Sequence, residues 1–292
     1  MPRTPSRRPG PDSEDNPDSE DNPDFQEKTV ESFPSSTARR VAAHRLGFDR
    51  PVTRYGKPWE DVRLAMDVAG ATAVQTDGSM NRYLRGRTAF FDTVVIDSLD
   101  RGVSQVACLG AGYDGRSLRY ARPGVRWWEV DHPDTQADKR SRLVRLGIDT
   151  THVAFVAFDL RGDGLAAALT GHGFGAASPT LFLCEGVIVY LEAAVVESLL
   201  RELRSCAAAG SRLALSSATS PSSGDHSARR KRFRAAVSAL GEPVRNNLTV
   251  QDVVELLEGS GWRVDAGSGR ARGAGLLSAR PAVSDSRQAK YP

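Results

Sequence analysis

A chain of 292 residues that is 40% apolar and 26% charged can bury the core of one large α/β domain, and it holds no apolar run long enough for a membrane span. Its three cysteines, Cys108, Cys184 and Cys206, all lie inside apolar runs with no Cys-x-x-Cys among them, which argues against a disulfide framework and for a reducing compartment. The net charge of +3 conceals an asymmetry: residues 1–36 carry nine acids and four bases, or −5, so the remainder carries +8.

Residues 1–36 contain PDSEDN twice, over Pro11–Asn16 and Pro17–Asn22, and offer nothing to bury, so a disordered acidic tail is expected. The first arginines are followed by no apolar stretch; no signal peptide and a cytoplasmic location are therefore expected. Helical spacing begins over Thr37–Leu46 and Trp59–Ala71, with Pro51, Gly56 and Pro58 between them, and continues over Asn81–Leu99. Together, residues 37–102 read as a helical cap ahead of the first strand.

Val106–Leu109 is that strand. It breaks into Gly110-Ala111-Gly112, a polar helical segment follows over Asp114–Tyr120, and a second apolar run, Trp127–Val130, ends at Asp131. Glycines let backbone approach a ligand closely, a following helix offers free N–H groups, and an acid about 20 residues on can accept two hydrogen bonds from a ribose diol. The order points to a cofactor carrying a ribose. Gly110-x-Gly112-x-x-Gly115 also satisfies the dinucleotide fingerprint, which keeps an NAD-dependent oxidoreductase open, although no Tyr-x-x-x-Lys proton relay accompanies it.

Alternation continues beyond Asp131. Asp134–Leu146 reads as helix, His152–Phe158 as strand, Gly164–Leu169 as helix and Thr180–Cys184 as a buried strand ending in Glu185-Gly186. Glu192–Ala209 reads as a helix closed by Gly210, and Arg212–Ser216 as the fifth strand. After a Ser/Pro/Gly loop over Thr219–Ser227 come a basic helix, Ala228–Leu240, and another, Thr249–Glu258, with Thr249 as its N-cap. Trp262–Ala266 and Leu276–Ala279 close as two strands, and residues 282–292 read as a flexible end. This predicts a doubly wound, mostly parallel seven-stranded Rossmann-like sheet with an antiparallel finish over residues 103–281. The run Arg229–Arg234 in the basic body raises a non-catalytic nucleic-acid-binding alternative. Against it, 34 of the 39 basic residues are arginines spread over the whole chain, so no nucleic-acid or membrane partner is expected.

Several stretches resemble class I S-adenosylmethionine-dependent methyltransferases, specifically the leucine carboxyl methyltransferase-like family with its many bacterial members. They are Arg87-Thr88 with Phe91-Asp92, Val106–Arg116, Glu129-Val-Asp131-His-Pro133 with Lys139, Phe158–Arg161, and Cys184-Glu-Gly-Val-Ile-Val-Tyr-Leu191. They span residues 87–191 in the family's order; Arg40–Arg45 matches loosely, and the acidic repeat and the tail from Gly269 do not match. Gly115 departs from the pattern, since relatives often carry a larger polar residue there.

The resemblance implies S-adenosylmethionine as cofactor and no metal. Arg87 would pair with the methionyl carboxylate, Gly110, Ala111 and Gly112 would give the close backbone approach, and Asp131 would hold the ribose hydroxyls. Asp159 and Leu160 would flank the adenine, and Glu185 would sit by the methionyl ammonium or the methyl donor. Glu185 and Tyr190 are the candidate catalytic positions, for O-methylation of a carboxylate or hydroxyl of a small molecule. A hydroxyl acceptor usually needs a general base, whereas a carboxylate is already ionised at neutral pH. Of the five histidines, only His44 and His226 are placed by the pattern to reach the methyl, and neither has a motif around it. Catalysis is therefore expected not to depend on histidine.

Overall fold

In the computed structural model, which describes residues 34–70, 78–217, 243–266 and 275–282, the apolar runs pair into one sheet. The acidic repeats, the Thr219–Ser227 loop with His226, the basic helix Ala228–Leu240 and the end beyond residue 282 lie outside the described residues. Three helices precede the sheet: α1 (Ser36–Arg45), α2 (Pro58–Ala69) and α3 (Gly78–Asp100). There follow β1 (Gln105–Leu109), α4 (Arg116–Arg119), β2 (Arg126–Asp131), α5 (Pro133–Arg145), β3 (Val153–Ala157), α6 (Leu165–Gly171) and β4 (Thr180–Cys184). A 3-10 turn over Ile188–Tyr190 leads into α7 (Ala193–Ser205) and β5 (Arg212–Ser216), and then come α8 (Val250–Gly259), β6 (Trp262–Val264) and β7 (Leu276–Pro281).

The strands lie in the order β3-β2-β1-β4-β5-β7-β6. β1 to β5 pair in parallel, while β7 is antiparallel to both β5 and β6. This is the expected doubly wound sheet with its antiparallel finish. Central strands β1 and β4 are buried at every position, because helices cover both faces of the sheet. The strand period of two divides their side chains between two cores. Ala107, Leu109, Phe182 and Cys184 face α6, α7 and α8, where Leu165, Leu199, Leu203, Val253 and Leu257 meet them. Val106, Cys108, Leu181 and Leu183 face the other way, against Phe91, Val94, Val95 and Leu99 of α3. A third cluster, Ala42, Leu64, Tyr113, Leu118 and Leu143, joins α1 and α2 to α4 and α5.

Two helices are shorter than their spacing predicts. The segment Asp114–Tyr120 is helical only over Arg116–Arg119, because Arg116, Ser117 and Arg119 turn inward to buried acids and are 1, 3 and 4% exposed. Helix α7 stops at Ser205, not Ala209: the Ser205 hydroxyl donates to the Glu202 carbonyl, and Gly210, at φ 85°, belongs to the turn that starts β5. Thr249 caps α8 as expected, in a reciprocal capping box with Asp252. No helix among the described residues is long and apolar enough to cross a membrane.

Trp262 fixes the antiparallel edge. It is 1% exposed, its indole N–H donates to the Leu200 carbonyl at 3.0 Å, and its ring meets Phe182 edge-on at 6.2 Å. Trp262→Ala is expected to cost about 3–5 kcal/mol of stability, from lost burial and the cavity left behind, measured by urea unfolding.

Candidate functional site

Apart from Arg87 on α3 and Tyr190 in the 3-10 turn, the candidate residues come from the carboxyl ends of β1, β2, β3 and β4, where the strand order reverses between β1 and β4. β1 ends at Leu109 and the backbone turns over at Gly110 and Gly112, with φ of 61° and 50°. A side chain is disfavoured there by conformation and also by space. A Cβ on Gly110 would lie 2.4 Å from Val187 Cγ2, and one on Gly112 would lie 2.9 Å from Ala38 Cβ of α1. Helix α1 thus rests directly on the glycine turn. It is held by Ser35 N–H donating to Thr135 Oγ1 at 3.0 Å and by Arg39 Nε donating to the Tyr113 hydroxyl at 3.5 Å.

Asp131 ends β2 beside this turn. One oxygen accepts from the Gly112 N–H and the other from the His132 N–H at 2.7 Å. Burial raises its pKa, and these two hydrogen bonds oppose the shift. At the end of β3, Asp159 is bound by Arg161 through the guanidinium and through the Arg161 N–H at 3.0 Å, and the guanidinium contact lowers its pKa. Leu160 is half-buried between them, packed against the sheet core.

Glu185, directly after β4, is the focus of the charged cluster. Its Oε1 accepts from Arg87 Nε of α3 and pairs with Arg45 Nη2 of α1, both at 2.8 Å, and its Oε2 accepts from Arg116 Nη1 at 2.6 Å. Burial works against its charge, but Arg116, Arg45 and Arg87 hold the carboxyl well below the usual range. Arg116 also donates to Asp92 at 2.6 Å, to Asp114, and to the Thr88 carbonyl at 3.2 Å. Asp114 is opposed by burial in the same way, yet Arg116 and Arg45 hold it at about 2. Arg119 extends the cluster to Asp92 and Asp61, both at 2.7 Å, and Arg50 reaches Asp61 at 3.0 Å. Five arginines thus face four carboxylates, and none of these nine side chains is more than 14% exposed. Beneath it, Lys139 donates to the Asp114 carbonyl at 2.7 Å and pairs with Glu129 at 2.6 Å.

The structure brings Arg87 and Glu185 into contact, and Gly112 and Asp131. Tyr190 stands at the end of the 3-10 turn, half-buried, five positions after Glu185. Arg45, Asp61, Asp92, Asp114, Arg116 and Arg119 are site residues to which the sequence reading gave no role. A signal existed for Asp92, a charge set beside Phe91 on the apolar face of a long helix. Gly115 is also explained: a Cβ there would lie 1.9 Å from Asp61 Oδ1, so the place of a larger residue is taken by an acid from α2.

Gly115→Ala is therefore expected to displace Asp61 from Arg119 and to cost about 1–3 kcal/mol in urea unfolding, as overpacking does. Because the two positions touch, the double change Gly115→Ala with Asp61→Ala should cost less than the sum of the single changes.

Comparison with known proteins places this geometry. The chain is 36% identical over 174 residues to a protein of Mycolicibacterium gilvum provisionally named an S-adenosyl-L-methionine-dependent methyltransferase, covering 58% of this chain and 55% of the relative. It is 34% identical over 216 residues to a similarly named protein of Mycolicibacterium smegmatis, covering 69% of this chain and 71% of the relative. It spans about half the length of several of the curated relatives it matches. A solved structure of a provisionally named methyltransferase from Thermobifida fusca shares the fold with a TM-score of 0.58 at 16% identity, over 89% of this chain and 99% of that one. The family model for leucine carboxyl methyltransferase matches residues 26–204, from ahead of α1 to the last turn of α7, and the chain belongs to that family.

Proposed function

We propose that the chain binds S-adenosylmethionine at the carboxyl ends of β1 to β4 and transfers its methyl group to an oxygen, carboxylate or hydroxyl, of a small-molecule acceptor. The observation that carries this reading is the arrangement of complementary charge. Three arginines meet on the Glu185 carboxylate, and an acid faces a glycine turn at Asp131 on the adjacent side of the switch point. These groups fit the cofactor's parts: cations for a carboxylate, an anion for an ammonium, and an acceptor for a ribose diol. Arg87 would take the carboxylate, Glu185 the ammonium, Asp131 the ribose, and Asp159 with Leu160 the adenine. Family membership supports the same cofactor. The β7 strand, antiparallel and inserted between β5 and β6, sets the sheet apart from the all-parallel order that typifies dinucleotide-binding domains.

The cofactor supplies an electrophilic methyl on a cationic sulfur. What remains for the chain is to hold the acceptor oxygen in line and to exclude water, tasks of position more than of proton transfer. The described histidines agree with that division. His152 Nε2 lies 2.9 Å from the Ser117 carbonyl, His172 Nδ1 lies 2.8 Å from the Ala168 carbonyl, and the His132 side chain caps α5. His44 alone sits on the helix that covers the turn, buried, its pKa lowered by that burial and by Arg40.

Asp131→Ala should weaken binding of S-adenosylhomocysteine by about 1–3 kcal/mol in calorimetric titration with the circular dichroism spectrum retained; unchanged affinity would remove the ribose assignment. Once an acceptor is found, His44→Ala should keep turnover within about tenfold, below the usual acid–base contribution of about 10²–10⁴. A thousandfold loss with cofactor affinity intact would instead point to a hydroxyl acceptor and a histidine base.

A further inference from the structure

Away from the charged cluster, a cavity of about 270 Å³ opens between α3 and the connection from α1 to α2. Arg54, Tyr55, Ile96, Leu99, Tyr120 and Arg122 line it. Leu99 and Asp100 close α3 just ahead of β1, and Arg122 stands just ahead of β2. The cavity therefore lies toward the amino ends of strands whose carboxyl ends form the site above. Its size falls just below the roughly 300 Å³ at which pockets for drug-sized ligands begin, which fits a molecule of one ring.

The lining combines apolar surface with unused polar capacity. Tyr55 is 44% exposed, and two guanidiniums lie over its ring, that of Arg54 at 5.3 Å and that of Arg122 at 5.8 Å. Arg122 Nη1 donates to the Leu99 carbonyl at 2.8 Å and reaches Asp100 at 3.3 Å. Arg54 is exposed and pairs with no carboxylate among the described residues. Tyr120 is buried, and its hydroxyl has no hydrogen-bond partner, a costly state for a group out of water. Burial pushes its pKa up to about 12, so at neutral pH the hydroxyl keeps its proton and can donate. Ile96 and Leu99 supply aliphatic contact beside these groups. Two cations thus stand against Asp100, next to a donor that lacks an acceptor.

We propose that this cavity binds a small aromatic carboxylate of the benzoate type, at a site separate from that of methyl transfer. The ring would lie against Tyr55, Ile96 and Leu99, and the carboxylate would be held by Arg54 and would accept from the Tyr120 hydroxyl. A neutral aromatic alcohol gains the apolar contact without the charge, and acetate gains the charge without the ring. The proposal does not rest on the cofactor reading, because neither Arg54 nor Tyr120 belongs to the cluster around Glu185.

The test is calorimetric titration of the full chain with benzoate, benzyl alcohol and acetate. Benzoate should saturate one site with a Kd of about 1 mM or tighter, and each of the other two should bind at least about tenfold more weakly. Arg54→Gln and Tyr120→Phe should each weaken benzoate by about tenfold, the scale of one charge-assisted hydrogen bond, and leave the affinity for S-adenosylhomocysteine unchanged. Both variants should fold: Arg54 is exposed, and Tyr120→Phe keeps the buried ring and removes only a hydroxyl without a partner, so its urea midpoint should hold or rise. Benzoate affinity retained in either variant places the ligand elsewhere, at a methyl-acceptor site for example, and overturns the proposal. So does benzyl alcohol or acetate binding as tightly as benzoate, or no saturable benzoate binding up to about 10 mM. Failure to bind S-adenosylhomocysteine would overturn the cofactor reading and leave the benzoate result to stand by itself.

Discussion

Arg116 is the interaction on which the rest of the site depends. Its single guanidinium joins α3, the glycine turn and the end of β4, elements that the chain visits between residues 88 and 185. A buried ion cluster of this kind is not a cheap source of stability, since desolvation can exceed the Coulombic gain, whereas removing one partner costs about 3–5 kcal/mol. Its value lies in geometry. Each acid pairs with more than one arginine, Asp114 with Arg45 at 3.4 Å as well as with Arg116, so no side chain can rotate without breaking contacts on another element. Arg119 repeats the device one turn away, sharing Asp92 Oδ1 with Arg116 and adding Asp61 of α2.

The same economy of space binds the front helices to the turn they cover. Ala38 occupies the room beside Gly112, Asp61 the room beside Gly115, and Val187 the room beside Gly110. Gly56, between α1 and α2, is pressed so closely on the Arg119 carbonyl that a Cβ would fall 1.7 Å from its oxygen. The glycines that read as a ligand-binding loop are therefore also packing positions. Both uses follow from one property, the absence of a Cβ where two pieces of chain must touch. Helix α1 and the glycine turn behave as parts of one unit, with Arg45 carrying that unit's charge to Glu185.

Much of the fold was legible because its signals are local. The strands ending at Leu109, Asp131 and Cys184 announce themselves by apolar runs broken by glycine or acid, and the observed ends agree to within one residue. The cap of α8 was legible for the same reason, Thr249 and Asp252 being three apart. The charged cluster was not. Arg87 and Glu185 are 98 residues apart, Asp61 and Arg119 58 apart, and no periodicity within a window reports such pairs. The shortness of α4 has the same origin: residues that look like a solvated helix face are drawn inward by distant acids. Gly115 looked like a departure from a pattern only because its neighbour in space, Asp61, is invisible in its surroundings in sequence.

The acids and arginines of the cluster share partners unevenly. Asp92 and Asp61 each take two arginines, and Lys139 is spent on Glu129 and the Asp114 carbonyl. At the cluster's outer edge the balance differs. Arg45 and Arg87 crowd onto one oxygen, Arg45 keeps an unused donor, and each Asp131 oxygen accepts one backbone N–H while a carboxylate oxygen can accept more. A surplus donor at one end and surplus acceptor capacity at the other is what a ligand with a carboxylate at one extremity and hydroxyls further along would complement.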